Sequence, residues 1–431
     1  MKAIATVALG IVLTAASVVW AGEPELHLMH MQTAPATRDA VQRAVDRFTE
    51  TTGVEVRVEV HKNEPYKQKL ATVLGSAEAP DVFHTWGGGI LEAQVRQGGA
   101  APFPEDFPVE GISTAVLEFC TVDGQLYAVP TDVSLVLFYY RPSVFRLHDI
   151  DVPGTFQELL DTCRALRGRG VIPIALGNLE QWPGAFYFDY LMVRQEAAGD
   201  YLAQTEEAGE PVQTPAARTA AEKINALVRH HAFNPGFNGI GYDDSRSAFF
   251  RKEASMTLMG TWLLSFALQE QEEDRTIDVD DIGVFPFPAL GNSGDCDEAL
   301  LGGTNAAYAV SETSRHKDLA FQLVQYLTDE QAALEWAEAW RIPARQVDLP
   351  GGPDVLNEVG QLLEQASYLQ LYFDQALPPD EAEQHKAYTQ SLFVGEPHVA
   401  IRIIVIVVAV LAVLVFARIL RSVFGSGEGT E

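Results

Sequence analysis

Cysteine and basic side chains are both scarce in this 431-residue chain, which has three cysteines, and 30 lysines and arginines against 59 acidic residues. Cys120, Cys163 and Cys296 are widely spaced and odd in number, so at most one disulfide is expected and no CxxC metal or redox pair exists. The net charge of −29 repels phosphate backbones and anionic headgroups, so nucleic acid is not expected as a partner. Adaptation to salt accounts for part of that charge equally well. No HExxH is present. His230 and His231 are adjacent and project to different sides of a helix, while His27 and His30 project to opposite faces of a strand, so neither pair suits a metal. A GxSxG elbow and a Cys-His signature are also missing. Gly87, Gly88 and Gly89 lack the Lys-Ser/Thr that completes a phosphate loop, and read instead as a tight turn that lets ligand or backbone approach closely. No cofactor, metal or catalytic residue is expected. Repeats are absent, and the tail "GSGEGTE" is the only low-complexity stretch.

Long apolar runs stand at both ends. "MKAIATVALGIVLTAASVVWAGEPE" has Lys2, an apolar stretch too short for a comfortable span, and Val19-Trp20-Ala21 as a small-residue cleavage site, so residues 1–21 read as a signal peptide. No Cys follows that site, which argues against a lipid anchor. "IRIIVIVVAVLAVLVFARIL" supplies the roughly 20 residues needed to cross ~30 Å of hydrocarbon. Arg418 and Arg421 follow it, as the positive-inside rule asks of a cytoplasmic tail. Residues 399–420 are therefore expected to form a transmembrane helix, with residues 421–431 inside and the bulk of the chain outside.

Between these ends, 47% hydrophobic residues are ample for a large core. "ELHLMHM" suits a strand, and "RDAVQRAVDRFTETTG" places Val41, Ala44, Val45 and Phe48 on one helical face with Gly53 as the stop. Val54, Val56, Val58 and Val60 then share one face of a second strand, and a helix, an Ala-Pro-Asp turn and a third strand follow. The order βαβαβ implies an α/β fold with a parallel sheet whose ligands sit beyond the strands' carboxyl ends. Those ends hold Met31 to Ala34, Asn63 to Tyr66 and Trp86 to Gly89, expected to converge on one cleft. Thr328 with Gln331 reads as a capping box for a later helix.

Four separated blocks, "APDVFHTWGGG", "YAVPTDVSLVLFYY", "FFRKEASMTLMGTWLL" and "LLGGTNAAYAVSETSRHKDLAFQLVQYL", stand in an order and spacing that resembles the family 1 extracellular solute-binding proteins. These are the carbohydrate-binding components of ABC importers. The resemblance covers roughly Glu25 to Gly395. It implies a two-lobed periplasmic-binding-protein fold of the venus-flytrap, maltose-binding-protein-like kind, crossover strands forming a hinge, closure over a neutral mono- or oligosaccharide, and delivery to an ABC permease. Carried onto this chain, the first lobe takes residues 25–130 and 299–327, and the second takes 131–298 and 328–395. The departure is "YTQSLFVGEPHV", which runs into the apolar span where a soluble final helix is expected. A binding protein tethered at the periplasmic, extracytoplasmic face of the bacterial plasma membrane and a membrane-tethered carbohydrate sensor both fit. Few residues follow the span to form a signalling domain, which favours the importer component. The enzymatic alternative is a glycosidase, but neighbouring carboxylates such as Asp243 and Asp244 are nearly uninformative in a chain with 21% charged residues.

A neutral sugar offers hydroxyl groups and flat C–H faces, so its site needs aromatic planes and fixed polar side chains. Trp86, Trp182 and Trp262 sit in "WGGG", "QWPGAF" and "GTW", beside small or turn-forming residues that leave a ring exposed at a loop edge. Gly87 and Gly88 adjoin the first. Asp132 follows the presumed crossover and either accepts two sugar hydroxyls or satisfies the hinge backbone. Asn178, Gln181 and Asp189 flank Trp182, and Asn305 follows Gly302-Gly303, where loops of the resembled family face the cleft. Glu64, Gln32 and Arg341 complete the candidate ligand contacts.

Overall fold

The computed structural model describes residues 24–274, 277–291, 295–347 and 351–393. The expected signal peptide, transmembrane helix and tail lie outside the described residues. Among the described residues no helix is long and apolar enough to cross a membrane.

Two units share one sheet of ordered strands. In the first, Glu25–His30 is flanked by Glu55–Val60 and Val82–Thr85, all parallel, with Leu26 opposite Val56 and Leu28 opposite Val82. The helix Pro35–Thr52 between the first two strands buries Ala40, Val41, Ala44, Val45 and Phe48, the face its spacing predicts. It stops at Gly53, which takes a left-handed φ of 73° and returns its N–H to the Thr49 carbonyl.

Leu300–Val310 then pairs antiparallel with Val82–Thr85 on one side and with Val129–Tyr140 on the other. The 12-residue strand Val129–Tyr140 is buried along nearly its whole length because its two halves belong to different units. Its first half lies against Leu300–Val310, and its second half pairs with Ala254–Gly260 and Gly283–Phe285. These two long strands are the crossovers. Register shifts on both sides of Ala306 leave Asn305 out of the ladder and turned from the core.

The helix Glu330–Glu338 sends Ala332 and Trp336 into the same core as Val41, Phe48 and Leu323, while Trp340, just beyond it, packs against the core of the second unit. The cap of that helix differs from the expected one: Asp329 accepts the Ala332 N–H at 2.7 Å, while the Thr328 hydroxyl donates back to Val324 in the preceding helix. All three cysteines are buried free thiols.

Candidate functional site

A cavity of about 290 Å³ opens between the two units, at the lower end of small-molecule sites. The first unit contributes the ends of its three parallel strands, residues 31–34, 62–65, Lys67 and Trp86. The second contributes Glu180, Trp182, Phe186, Tyr242, Asp243, Trp262, Phe266 and residues 372, 374 and 375. Asn305 and Arg341 come from the crossover region.

The second unit's wall is aromatic. Trp182 lies 6.0 Å from Trp262 at 68° and 5.1 Å from Tyr242, and Phe186 and Tyr372 extend the cluster. Trp262 can fold back over the strand end because Gly260, two residues before it, carries no side chain; a Cβ there would stand 2.1 Å from the indole. Across the cleft, Trp86 packs edge-on against Tyr66 and His84, and the Lys67 ammonium sits 5.3 Å above its ring. The rings are less open than their loop-like surroundings suggest: Trp86 and Trp182 are buried and only Trp262 is half-buried.

Every cation lining the cavity has a carboxylate beside it. Lys62 donates to Asp243 at 2.7 Å, Lys67 lies 3.7 Å from Glu64, and Arg341 lies 3.5 Å from Asp132. Burial pushes the Asp132 carboxyl up to about 6, opposed by Arg341, Asn305 and Thr131. Behind Asp374 stands the buried Lys386 ammonium. Burial pulls it down, but Asp374, Glu383 and Glu64 outweigh that and hold it above the ordinary lysine value. Three buried polar atoms on lining residues have no protein partner: Arg341 Nε, Gln375 Oε1 and Asn63 Oδ1. Such atoms are costly unless something else meets them.

Of the residues singled out from the sequence, the structure brings Gln32, Glu64, Trp86, Trp182, Trp262, Asn305 and Arg341 to this cavity. The other six lie around it. Gly87 and Gly88 have φ of 78° and 58° and are pressed against the Phe119 carbonyl and against Leu371 and Gln375, so their close approach is to backbone. Asp132 is enclosed beneath Arg341 and accepts from Asn305 at 2.8 Å. Asn178 accepts the Gly184 N–H at 3.0 Å and donates to Asn238, and Gln181 donates to Gln390. Asp189 falls in the helix Trp182–Val193, which is buried on every side, and it bonds His385 and the Phe373 N–H at 3.0 and 3.1 Å. That bond fixes the segment carrying Tyr372 and Gln375, whose Tyr372 hydroxyl also meets Ser134 Oγ at 2.6 Å. Tyr242, Tyr372 and Gln375 were not singled out from the sequence. Asp243, read as one of a carboxylate pair, is bound by Lys62 and by Arg246 at 3.1 Å.

A family model described as bacterial extracellular solute-binding protein matches residues 34–334. The multiple sugar-binding protein of Streptococcus mutans is 24% identical over 217 residues, 49% of this chain and 49% of that protein, so the chain covers about half the length of this relative. Among solved structures, one from work on xylan utilization by Caldanaerobius polysaccharolyticus superposes with a TM-score of 0.77 at 24% identity, covering 86% of this chain and 95% of that one. A chitin oligosaccharide binding protein superposes with a TM-score of 0.75 at 20% identity, covering 86% and 100%. These likenesses show the two-lobed α/β fold.

Proposed function

The chain belongs to the bacterial extracellular solute-binding proteins, which are not enzymes, and from that premise we propose that it captures a neutral mono- or oligosaccharide between its lobes. The same reading has it deliver the sugar to an ABC permease at the outer face of the plasma membrane, held there by residues 399–420. What carries the reading is the makeup of the cleft. Indole and phenol rings line it, polar atoms of Asn63, Arg341 and Gln375 lack protein partners, and its cations are matched by carboxylates. Aromatic planes suit the C–H faces of a sugar, unpartnered donors and acceptors suit its hydroxyls, and paired charges leave little for an ionic ligand. The names of the sugar-binding and chitin oligosaccharide-binding relatives support the same ligand class.

Within this reading Trp86, Trp182, Trp262, Asn305, Glu64, Gln32 and Arg341 contact the ligand, joined by Tyr242 and Gln375. Asp132, Asn178 and Asp189 act behind them by fixing those side chains.

The test is thermal unfolding of the full chain in detergent across a panel of neutral saccharides, each analysed afterwards for cleavage. A ligand at 100 times its Kd adds ~2.7 kcal/mol, readily seen as a raised Tm. Trp262→Ala is expected to weaken binding by roughly 1 to 3 kcal/mol without preventing folding. A panel with no shift overturns the saccharide reading, and shifts from charged sugars alone overturn neutrality.

A further inference from the structure

Lys62 and Asp243 lie 181 positions apart in sequence, on opposite sides of the cleft, yet meet at 2.7 Å. Lys62 is the residue from which the first-unit helix Asn63–Val73 starts. Asp243 lies in the first turn of the second-unit helix Tyr242–Phe250, where an acidic side chain also suits the helix dipole. Among the described residues, no other ion pair within 4 Å bridges the two units away from the crossover region.

The two ends are unlike. Asp243 is held by Arg246 at 3.1 Å, and the Arg246 side chain is only 13% exposed and stacked 3.8 Å from the Phe266 ring centroid. Burial raises the Asp243 carboxyl, but Lys62 and Arg246 outweigh it and keep it below the usual range. Lys62, by contrast, is 74% exposed on a flexible stem. A fixed catch thus faces a mobile hook.

We infer that Lys62 and Asp243 form an interlobe latch that biases the cleft toward closure independently of the ligand's own contacts. The inference rests on the two-lobed hinge reading, not on the identity of the sugar. Because both ends are at the surface, the latch is weak and screened: the Debye length falls from ~30 Å at 0.01 M salt to ~3 Å at 1 M. An exposed pair of this kind changes an equilibrium by about fivefold at most. Closure, and with it affinity for an uncharged ligand, is therefore salt-dependent.

The experiment measures the distance between spin labels at Gln68→Cys and Arg251→Cys in the full chain, without ligand, at 20 and 500 mM NaCl. Both positions are exposed, whereas the native thiols are buried, and burial pushes Cys120 and Cys163 up to about 12, so they resist labelling. The expected result is a shift toward the open distance at high salt, by up to about fivefold in the closed-to-open ratio. Lys62→Met should be open-shifted at both salts, and Lys62→Arg should behave as the parent does. Identical distance distributions for the parent and Lys62→Met at 20 mM overturn the latch. So does a salt response that survives in Lys62→Met. Neither outcome depends on any sugar binding, so failure of the saccharide panel and failure of the latch are separate results.

Discussion

His30 ends the first strand with its ring fully enclosed, Nδ1 accepting the Gln32 N–H at 3.1 Å and Nε2 unpartnered. Burial, with a smaller push from Arg38, lowers its pKa from 6.5 to about 4. Between those values the unfolded chain binds a proton that the folded chain refuses, so stability rises with pH across the window and is eroded as acid is added. Unfolding measured at pH 7 and pH 4.5 should show the parent losing about 2 kcal/mol more than His30→Gln. Equal losses would mean that His30 titrates as an ordinary histidine. At this scale the sequence was legible where a ring stood among small residues, as with Trp86, Trp182 and Trp262. Tyr242, Tyr372 and Gln375 carry no such mark, because distant packing brings them to the cleft: Asp189 and Ser134 hold the Tyr372 segment from positions about 180 and 240 residues upstream. Asp189 itself looked like a loop acid, yet it sits in a helix apolar on all sides, where pairing with His385 is what makes its burial tolerable.

Elements were the most readable level. Val41, Ala44, Val45 and Phe48 share the buried face of Pro35–Thr52, and the third-strand and crossover blocks fold as the strands their β-branched and aromatic content suggests. What local pattern could not supply was how elements meet. Gly87 and Gly88 read as a tight turn approached closely by ligand or backbone, and it is backbone that comes near: Gly87 lies against Phe119, while Gly88 and Gly89 are the seam where the helix Gly88–Arg96 meets residues 371–377 of the other unit. Gly88→Ala would put a Cβ 2.5 Å from Leu371 Cδ2 and 2.7 Å from the Gln375 carbonyl, in a left-handed conformation that itself costs roughly 1 to 2 kcal/mol. The variant should be destabilised by about 2 to 4 kcal/mol in urea unfolding. It should also bind sugar less well, because Tyr372 and Gln375 move with the seam. Unchanged affinity would detach this segment from recognition.

For the whole molecule, the two-lobed plan followed from four blocks in order, whereas local pattern did not show that Trp336 shares a core with Phe48. The expected membrane segment belongs to this scale too. Cleavage before Val399 should release a soluble protein that still binds sugar, measured by fractionation and by the same thermal shift; an insoluble product would mean that the apolar segment completes the fold. The crossover strands bear finally on how the chain is made. Val82–Thr85 waits for Leu300–Val310, so one side of that strand stays open while more than two hundred residues are synthesised, some 10 to 40 s at 5 to 20 residues per second. Pairing so distant in sequence is slow to form. A nascent chain that cannot finish either half early stays threadable, which is the condition a protein needs if it is to cross a membrane before it folds.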